Sequence, residues 1–361
     1  MIKKIKLNKK MQELPILVKM LLALLIAVSG SILFIFLHFP LPWLLGAIFA
    51  TTIAIRFPTV PISSPKPFSA PARILIGLTI GSAFTPHILE YIPHYIISLL
   101  LVIPFTLLVI FFGTYYYHKI LKYDLKTSYL GSMPGGVIEM VIIGQDLKAD
   151  TSKITLMQSS RLFFVIVSLP FIIQYIFQID IRGNQILTTP IKDINLFEFS
   201  YIYILGIAGA IIAKRLRLAA AYLIGPMIVS IILYSTGFVH THIPDELLKF
   251  IQVIFGTIIG FTFKNVSLKT ISKTFLATLG HFAILIILCA IFIFIIYKSL
   301  DFKALDILLA FGPGGQTEIN LVAILIGANL PYITLHHIVR LFIVMNIAPI
   351  IAKRLDRNNS I

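Results

Sequence analysis

The chain has 361 residues, 58% of them hydrophobic and only 12% charged, with a mean hydropathy of +0.96. A soluble domain carries about 25% charged residues, so the composition excludes a water-soluble globular protein and indicates an integral membrane protein. The formal charge of +15 would point to nucleic acid in a soluble chain, but here the cations sit in short loops between apolar runs, where they set orientation, and no nucleic-acid partner is expected.

Residues 1–15 form a basic N-terminus, with Lys3, Lys4, Lys6, Lys9 and Lys10 placed to anchor orientation and touch anionic lipid. A Lys-rich flank before an apolar run also fits a cleaved signal peptide. Segment 16–37 has a counterpart at 199–213 that cannot be one, so 16–37 reads as a permanent span. A hydrocarbon core of roughly 30 Å needs about 20 apolar residues per helix. The first half offers six apolar segments, at 16–37, 41–56, 70–90, 93–118, 127–147 and 154–177. The second offers six more, at 199–213, 220–235, 247–263, 271–297, 304–327 and 333–352. The expected organisation is a cytoplasmic N-terminus at 1–15, a membrane repeat at 16–178, an external linker at 179–198, a second repeat at 199–352 and a cytoplasmic tail at 353–361. The single cysteine, Cys289, excludes disulfides and thiolate zinc sites.

The halves are copies. Residues 134–140 read Pro-Gly-Gly-Val-Ile-Glu-Met and residues 313–319 read Pro-Gly-Gly-Gln-Thr-Glu-Ile, 179 positions apart. The same offset carries Gly46 onto Gly225, Gly77 and Gly81 onto Gly256 and Gly260, Arg161-Leu162-Phe163 onto Arg340-Leu341-Phe342, and Pro170 onto Pro349. The shared glycines at 77, 81, 256 and 260 read as positions of close helix contact.

Loop charge bears on orientation. The basic stretches His118–Lys122 and Lys214–Arg217 should both be cytoplasmic, yet three full crossings between them would put them on opposite sides. The conflict disappears if each fifth segment enters and leaves on one side as a re-entrant hairpin. The expected fold is therefore all-α, with two inverted repeats, about ten transmembrane helices and two re-entrant Pro-Gly-Gly hairpins, and both termini cytoplasmic. Twelve full crossings with parallel repeats is the competing architecture.

Proline and glycine in the middle of an apolar segment break a helix. Non-helical backbone at membrane depth persists only where protein buries it or it lines a wet cavity, and inverted-repeat transporters place such breaks at the substrate. A packing kink is the plainer explanation of one break; two matched breaks, each followed by an acid, favour a site. Glu139 and Glu318 are ionisable groups inside apolar segments. They either bind a cation or proton, or cap the second half-helix. Arg161 and Arg340 either bind an anion or neutralise those acids. Gln158 and His337 share a repeat position one turn before the arginines. Arg73 matches Gln252 and reads as an anchor at a loop edge. The candidate substrate or ion site comprises Pro134, Gly135, Gly136, Glu139 and Arg161 from the first half. The second half contributes Pro313, Gly314, Gly315, Thr317, Glu318, His337 and Arg340. The second hairpin is the more polar, with Gln316 and Thr317 in place of Val137 and Ile138, so Glu318 is expected to matter more for substrate. His240, His242, Asp245 and Glu246 invite a metal reading, but in a loop they read as solvated side chains, and no metal or cofactor is expected.

No Walker loop, His-Glu-x-x-His or Gly-x-Ser-x-Gly occurs, so no catalytic residues are assigned and the chain is not read as an enzyme. Pro42-Trp43-Leu44-Leu45-Gly46, Gly131-Ser132-Met133-Pro134-Gly135-Gly136 with Glu139, and their second copies resemble the AbrB family of duplicated bacterial polytopic membrane proteins, labelled ammonia monooxygenase or AbrB-type regulator. The resemblance covers roughly 20–352. It implies a multi-pass protein of the cytoplasmic membrane, distantly similar to transporters with inverted repeats. A monooxygenase would need a ligand cluster that the residues do not supply. The expectation is a secondary transporter of a small solute or ion, with the bilayer as its other partner and a homodimer as a candidate assembly. The alternative is a membrane-embedded sensor that affects gene expression indirectly.

Overall fold

Long Leu, Ile, Val and Phe runs in lipid leave helices as the way to satisfy every backbone group within the segment. The computed structural model, which describes residues 14–179, 188–264 and 266–358, is accordingly almost all helix. The basic residues 3–10 lie outside the described residues. In the first half, α1 (Ile16–Phe36), α2 (Pro42–Ala54), α3 (Ser69–Ser82) and α4 (Ile92–Ile120) precede two short helices, α5 (Leu125–Ser132) and α6 (Val137–Asp146), and then α7 (Thr151–Ile176). The second half runs α8 (Leu196–Arg215), α9 (Ala221–Ser235), α10 (Asp245–Phe261), α11 (Leu268–Ser299), α12 (Ala304–Phe311), α13 (Gln316–Leu325) and α14 (Leu330–Asn358). Among the described residues six helices are long and apolar enough to cross a membrane: α1, α4, α7, α8, α11 and Leu330–Ala352 of α14. Exposed Leu25, Phe36, Ile204 and Phe294 on these helices form the lipid-facing surface. The protein is an all-α membrane protein, as its composition requires.

One segment boundary differs from expectation. Segment 70–90 is not one helix: α3 ends at Ser82, and Pro86, which has no amide hydrogen to donate, starts a separate turn, Pro86–Tyr91. Each fifth segment is two half-helices with a gap at Pro-Gly-Gly. The ends of that segment lie together. The Lys126 ammonium donates to Leu147 O at 3.3 Å, and the Asp150 amide donates to Thr127 Oγ1 at 2.9 Å. In the second half the Asn329 amide donates to Asp306 Oδ1 at 3.0 Å, with Asp306 and Asn329 standing 179 positions after Thr127 and Asp150.

The backbone repeats at the same offset even where the side chains differ. Leu41 and Ala220, each entering its half's second helix, share the left-handed conformation (φ 46° and 50°). His38 and Arg217 (φ 55° and 55°) pair likewise, as do Lys148 and Gly327 (φ 56° and 63°). Of these six only residue 327 is glycine.

The core is assembled by exchange between halves. An atom added at Gly77 would strike Leu223 O, and one added at Gly256 would lie 2.6 Å from Leu44 O. An atom added at Gly81 would lie 2.5 Å from Met227 O, and one added at Gly260 3.0 Å from Ile48 O. So α3 packs on α9, and α10 on α2, at backbone contact that only glycine permits. Within each half, Gly30 and Gly46 interlock between α1 and α2 just as Gly209 and Gly225 do between α8 and α9.

Loops meet in two groups. Arg56 donates to Val266 O at 2.7 Å and Phe263 O at 3.2 Å, and the Lys264 ammonium to Ile62 O at 3.2 Å. Elsewhere Thr188–Thr189 pairs in parallel with Ile243–Pro244, the Glu198 carboxylate accepts from the Thr241 amide at 3.0 Å, and Glu246 accepts from the Ile191 amide at 3.0 Å.

Candidate functional site

At the first break α5 ends at Ser132, the chain extends through Met133 (ψ 129°) to Gly136 (ψ 132°), and α6 begins at Val137. The second break repeats this, with Gly312 (ψ 129°) and Gly315 (ψ 140°) in the extended region. None of the Pro-Gly-Gly glycines has positive φ, so their use is space rather than a left-handed turn. A Cβ on Gly135 would lie 2.7 Å from Val344 Cγ1, on the last helix of the other half. A Cβ on Gly314 would lie 2.7 Å from Ile319 Cδ1 and 3.1 Å from Val165 Cγ1, the latter again across the halves. Each break therefore packs on the last helix of the opposite repeat.

A broken helix exposes carbonyls at the end of its first piece and amides at the start of its second. Both sets face charge of the right sign. The Arg161 guanidinium donates to Met133 O at 2.7 Å and to Gln158 Oε1 at 3.1 Å; the Gln158 amide donates to Leu130 O at 2.8 Å and Met133 O at 3.1 Å. Arg340 donates to Gly312 O at 2.6 Å, Gly314 O at 3.2 Å and His337 Nδ1 at 2.5 Å, and the remaining ring nitrogen of His337 reaches Leu309 O at 2.9 Å. That pattern fits the neutral tautomer with its proton on Nε2. Gln158 and His337 thus make the same connection with different chemistry. All four side chains are buried, with Arg161 at 1% exposure. At the other end of each gap, the Glu139 carboxylate folds over Gly136 and the Glu318 carboxylate over Gly315, each three residues after its N-cap, where a carboxylate is stabilised by the helix dipole.

The two roles left open for the arginines are therefore separated by geometry. Among the described residues no ion pair joins Glu139 to Arg161 or Glu318 to Arg340; the arginines hold carbonyls, and their charges act on each other. The cation that acts on Glu318 is Arg73. This corrects the reading of Arg73 as an anchor at a loop edge: it lies on α3, which packs against α13. The repeat offset held the missed signal, since Arg73 is a cation whose partner position, Gln252, is neutral. Thr317 is buried at the start of α13. His336 lies off the break, in a buried group with Ser98 Oγ (2.8 Å from Nε2) and Tyr332, whose hydroxyl is 2.5 Å from the same Oγ. The candidate metal residues His242 and Asp245 sit in the loop group away from both breaks. A cavity of about 760 Å³ opens at the loop end of the second hairpin, lined by Asp301, Lys303, Asp306 and Asn329.

The family described as "Transition state regulatory protein AbrB" matches residues 43–356. A Bacillus subtilis (strain 168) protein named "Uncharacterized protein YhjN" is 22% identical over 355 residues, covering 92% of both chains. An Escherichia coli (strain K12) protein named "Putative regulator AbrB" is 25% identical over 329 residues, covering 90% of this chain and 92% of that one. No solved structure matches the chain.

Proposed function

The chain belongs to the AbrB family of membrane proteins, and from that premise we propose that it is a secondary transporter working by alternating access. In this reading ten crossings and two re-entrant hairpins form two inverted repeats, both termini are cytoplasmic, and the protein is not an enzyme. Its ligands are a small solute or ion and the bilayer. The observation that carries it is the pair of breaks, each with a buried arginine at its carbonyl end and a half-buried glutamate at its amide end, and each seated on the last helix of the opposite half. A helix broken for packing alone has no need of an arginine, a glutamate and a polar relay at matched positions in both halves. The loop group that joins Arg56 and Ile62 of the first half to Phe263, Lys264 and Val266 of the second supports the inverted arrangement.

The second reading, a membrane-embedded sensor, draws on the regulator name of the Escherichia coli relative. Purified protein in sealed vesicles decides between them. A transporter accumulates or exchanges a labelled solute from a screen and loses this in Gly135→Leu. A ligand that raises the melting temperature but never crosses favours the sensor.

A further inference from the structure

The two hairpins share a backbone but differ in what their buried polar atoms leave unmet. In the first, Val137 and Val141 occupy the opening turns of α6. In the second, the same positions are Gln316 and Asn320. Both amide atoms of Gln316 and the Nδ2 of Asn320 are buried without a hydrogen-bond partner; Asn320 is 0% exposed, and its Oδ1 accepts from Thr334 Oγ1 at 3.2 Å. Arg73 Nε is a third buried donor without a partner; at the first break Arg161 Nε is in the same condition, but no side-chain atom of α6 among the described residues is. Leaving such groups unmet costs about 1–3 kcal/mol apiece.

Charge gives the same asymmetry. At each break one arginine faces the negative end of a half-helix and one glutamate the positive end, so each is neutral by itself. Arg73 is the additional cation, and its counterpart is Gln252. The unmet donors, from Arg73, Gln316 and Asn320, outnumber the one unmet acceptor, Gln316 Oε1. An anion neutralises the surplus charge, and a guanidinium fork matches a carboxylate in shape. The spare acceptor calls for a donor on the ligand beside that carboxylate.

We propose that the second break is a binding site for one small carboxylate that also carries a hydroxyl or amino group, held by Arg73, Gln316 and Asn320, with no equivalent site at the first break. This rests on reading the breaks as ligand-binding, and assigns the chemistry of the ligand and the half that takes it.

The chain provides its own controls, because the other half carries the neutral residue at each position. Thermal melting of the full-length protein in detergent is followed at constant ionic strength with sodium chloride, acetate, glycolate or glycine. Glycolate or glycine should raise the melting temperature at concentrations where chloride does not, with acetate weaker than either. Arg73→Gln and the pair Gln316→Val with Asn320→Val should each weaken this response about tenfold to a hundredfold. Val137→Gln and Val141→Asn in the first half should leave it unchanged. The proposal fails if no carboxylate exceeds chloride in wild type, or if Arg73→Gln responds as wild type does. Should Arg73→Gln unfold, Arg73→Lys keeps the charge without the fork; an undiminished response in that variant overturns the bidentate assignment. Binding here needs no transport: a carboxylate that binds but never crosses vesicles refutes the transporter reading alone. Uptake of another solute with no carboxylate binding refutes this proposal alone.

Discussion

Replacing Arg340 by glutamine separates two accounts of the buried charges. The substitution removes donors to Gly312 O (2.6 Å), Gly314 O (3.2 Å) and His337 Nδ1 (2.5 Å). Interhelical hydrogen bonds in membranes contribute about 0.6 kcal/mol on average and about 1.7 at most; the two to Gly312 O and Gly314 O, His337 being on the same helix, set the expected destabilisation at about 1–3 kcal/mol. Arg161→Gln loses one such bond, to Met133 O, besides that to Gln158 Oε1 on its own helix, for about 1–2 kcal/mol. The informative measurement is a double-mutant cycle with Glu318→Gln, read by equilibrium unfolding of the detergent-solubilised protein in SDS with circular dichroism. Because Arg340 holds carbonyls and Glu318 covers an N-terminus, the two losses should add within about 0.5 kcal/mol. A buried Arg340–Glu318 pair would instead make each single change cost about 3–5 kcal/mol and the double change recover much of it. Recovery in the double variant refutes the assignment of the arginines to the helix ends.

Valine at Gly46 should lower stability by at least about 1–3 kcal/mol in the same assay, since a Cβ there would stand 2.5 Å from Gly30 O. Gly135→Leu and Gly314→Leu should insert and elute as wild type on size-exclusion chromatography yet lose uptake, because each new side chain enters the contact with Val344 or Val165. Cysteines at Asp124 and Asp150 in a Cys289→Ala background should label from the same side of sealed vesicles; labelling from opposite sides would mean that segment 127–147 crosses fully. Asp150 caps α7 through the Lys153 amide and pairs with the Lys153 ammonium. Burial works against its charge, but these partners outweigh it and hold the carboxyl below its ordinary range. Its contribution is therefore complete above about pH 4 and disappears as pH falls through the lowered value. The melting-temperature gap between wild type and Asp150→Asn should follow that course.

Much of this was readable from residue types that act on the backbone. Pro134 and Pro313 mark where a helix must stop, and the glycine pairs at 77 and 81 or 256 and 260 mark where two helices must touch, so the breaks and close contacts followed from chemistry local to a few positions. Arg73 was not readable in this way. It follows a proline-rich stretch through Pro65, Pro67 and Pro71, which reads as loop, and it comes to the second break because α3 packs against α13, some 240 residues away in sequence. The partners of Arg161 and Arg340 were obscured for another reason. An acid nearby in sequence is the obvious match for a buried cation, whereas a helix end is an equally good anion that only the folded backbone assembles. The left-handed residues His38, Leu41 and Ala220 lack a glycine signal altogether.

The reciprocal contacts of α2, α3, α9 and α10 have a consequence for how such a chain could be divided. Gly77 against Leu223 and Gly256 against Leu44 is the pattern of an isologous interface, the same patch used twice around a two-fold axis, here enclosed within one polypeptide. Such an interface is closed, with no copy of the patch left over for a further subunit. It follows that this packing of the two halves does not depend on their belonging to one chain. Two half-length genes, cut in the linker and expressed together, should reconstitute the whole. A half expressed alone should seek a second copy of itself in the opposite orientation, making of a single repeat what the intact chain makes of two.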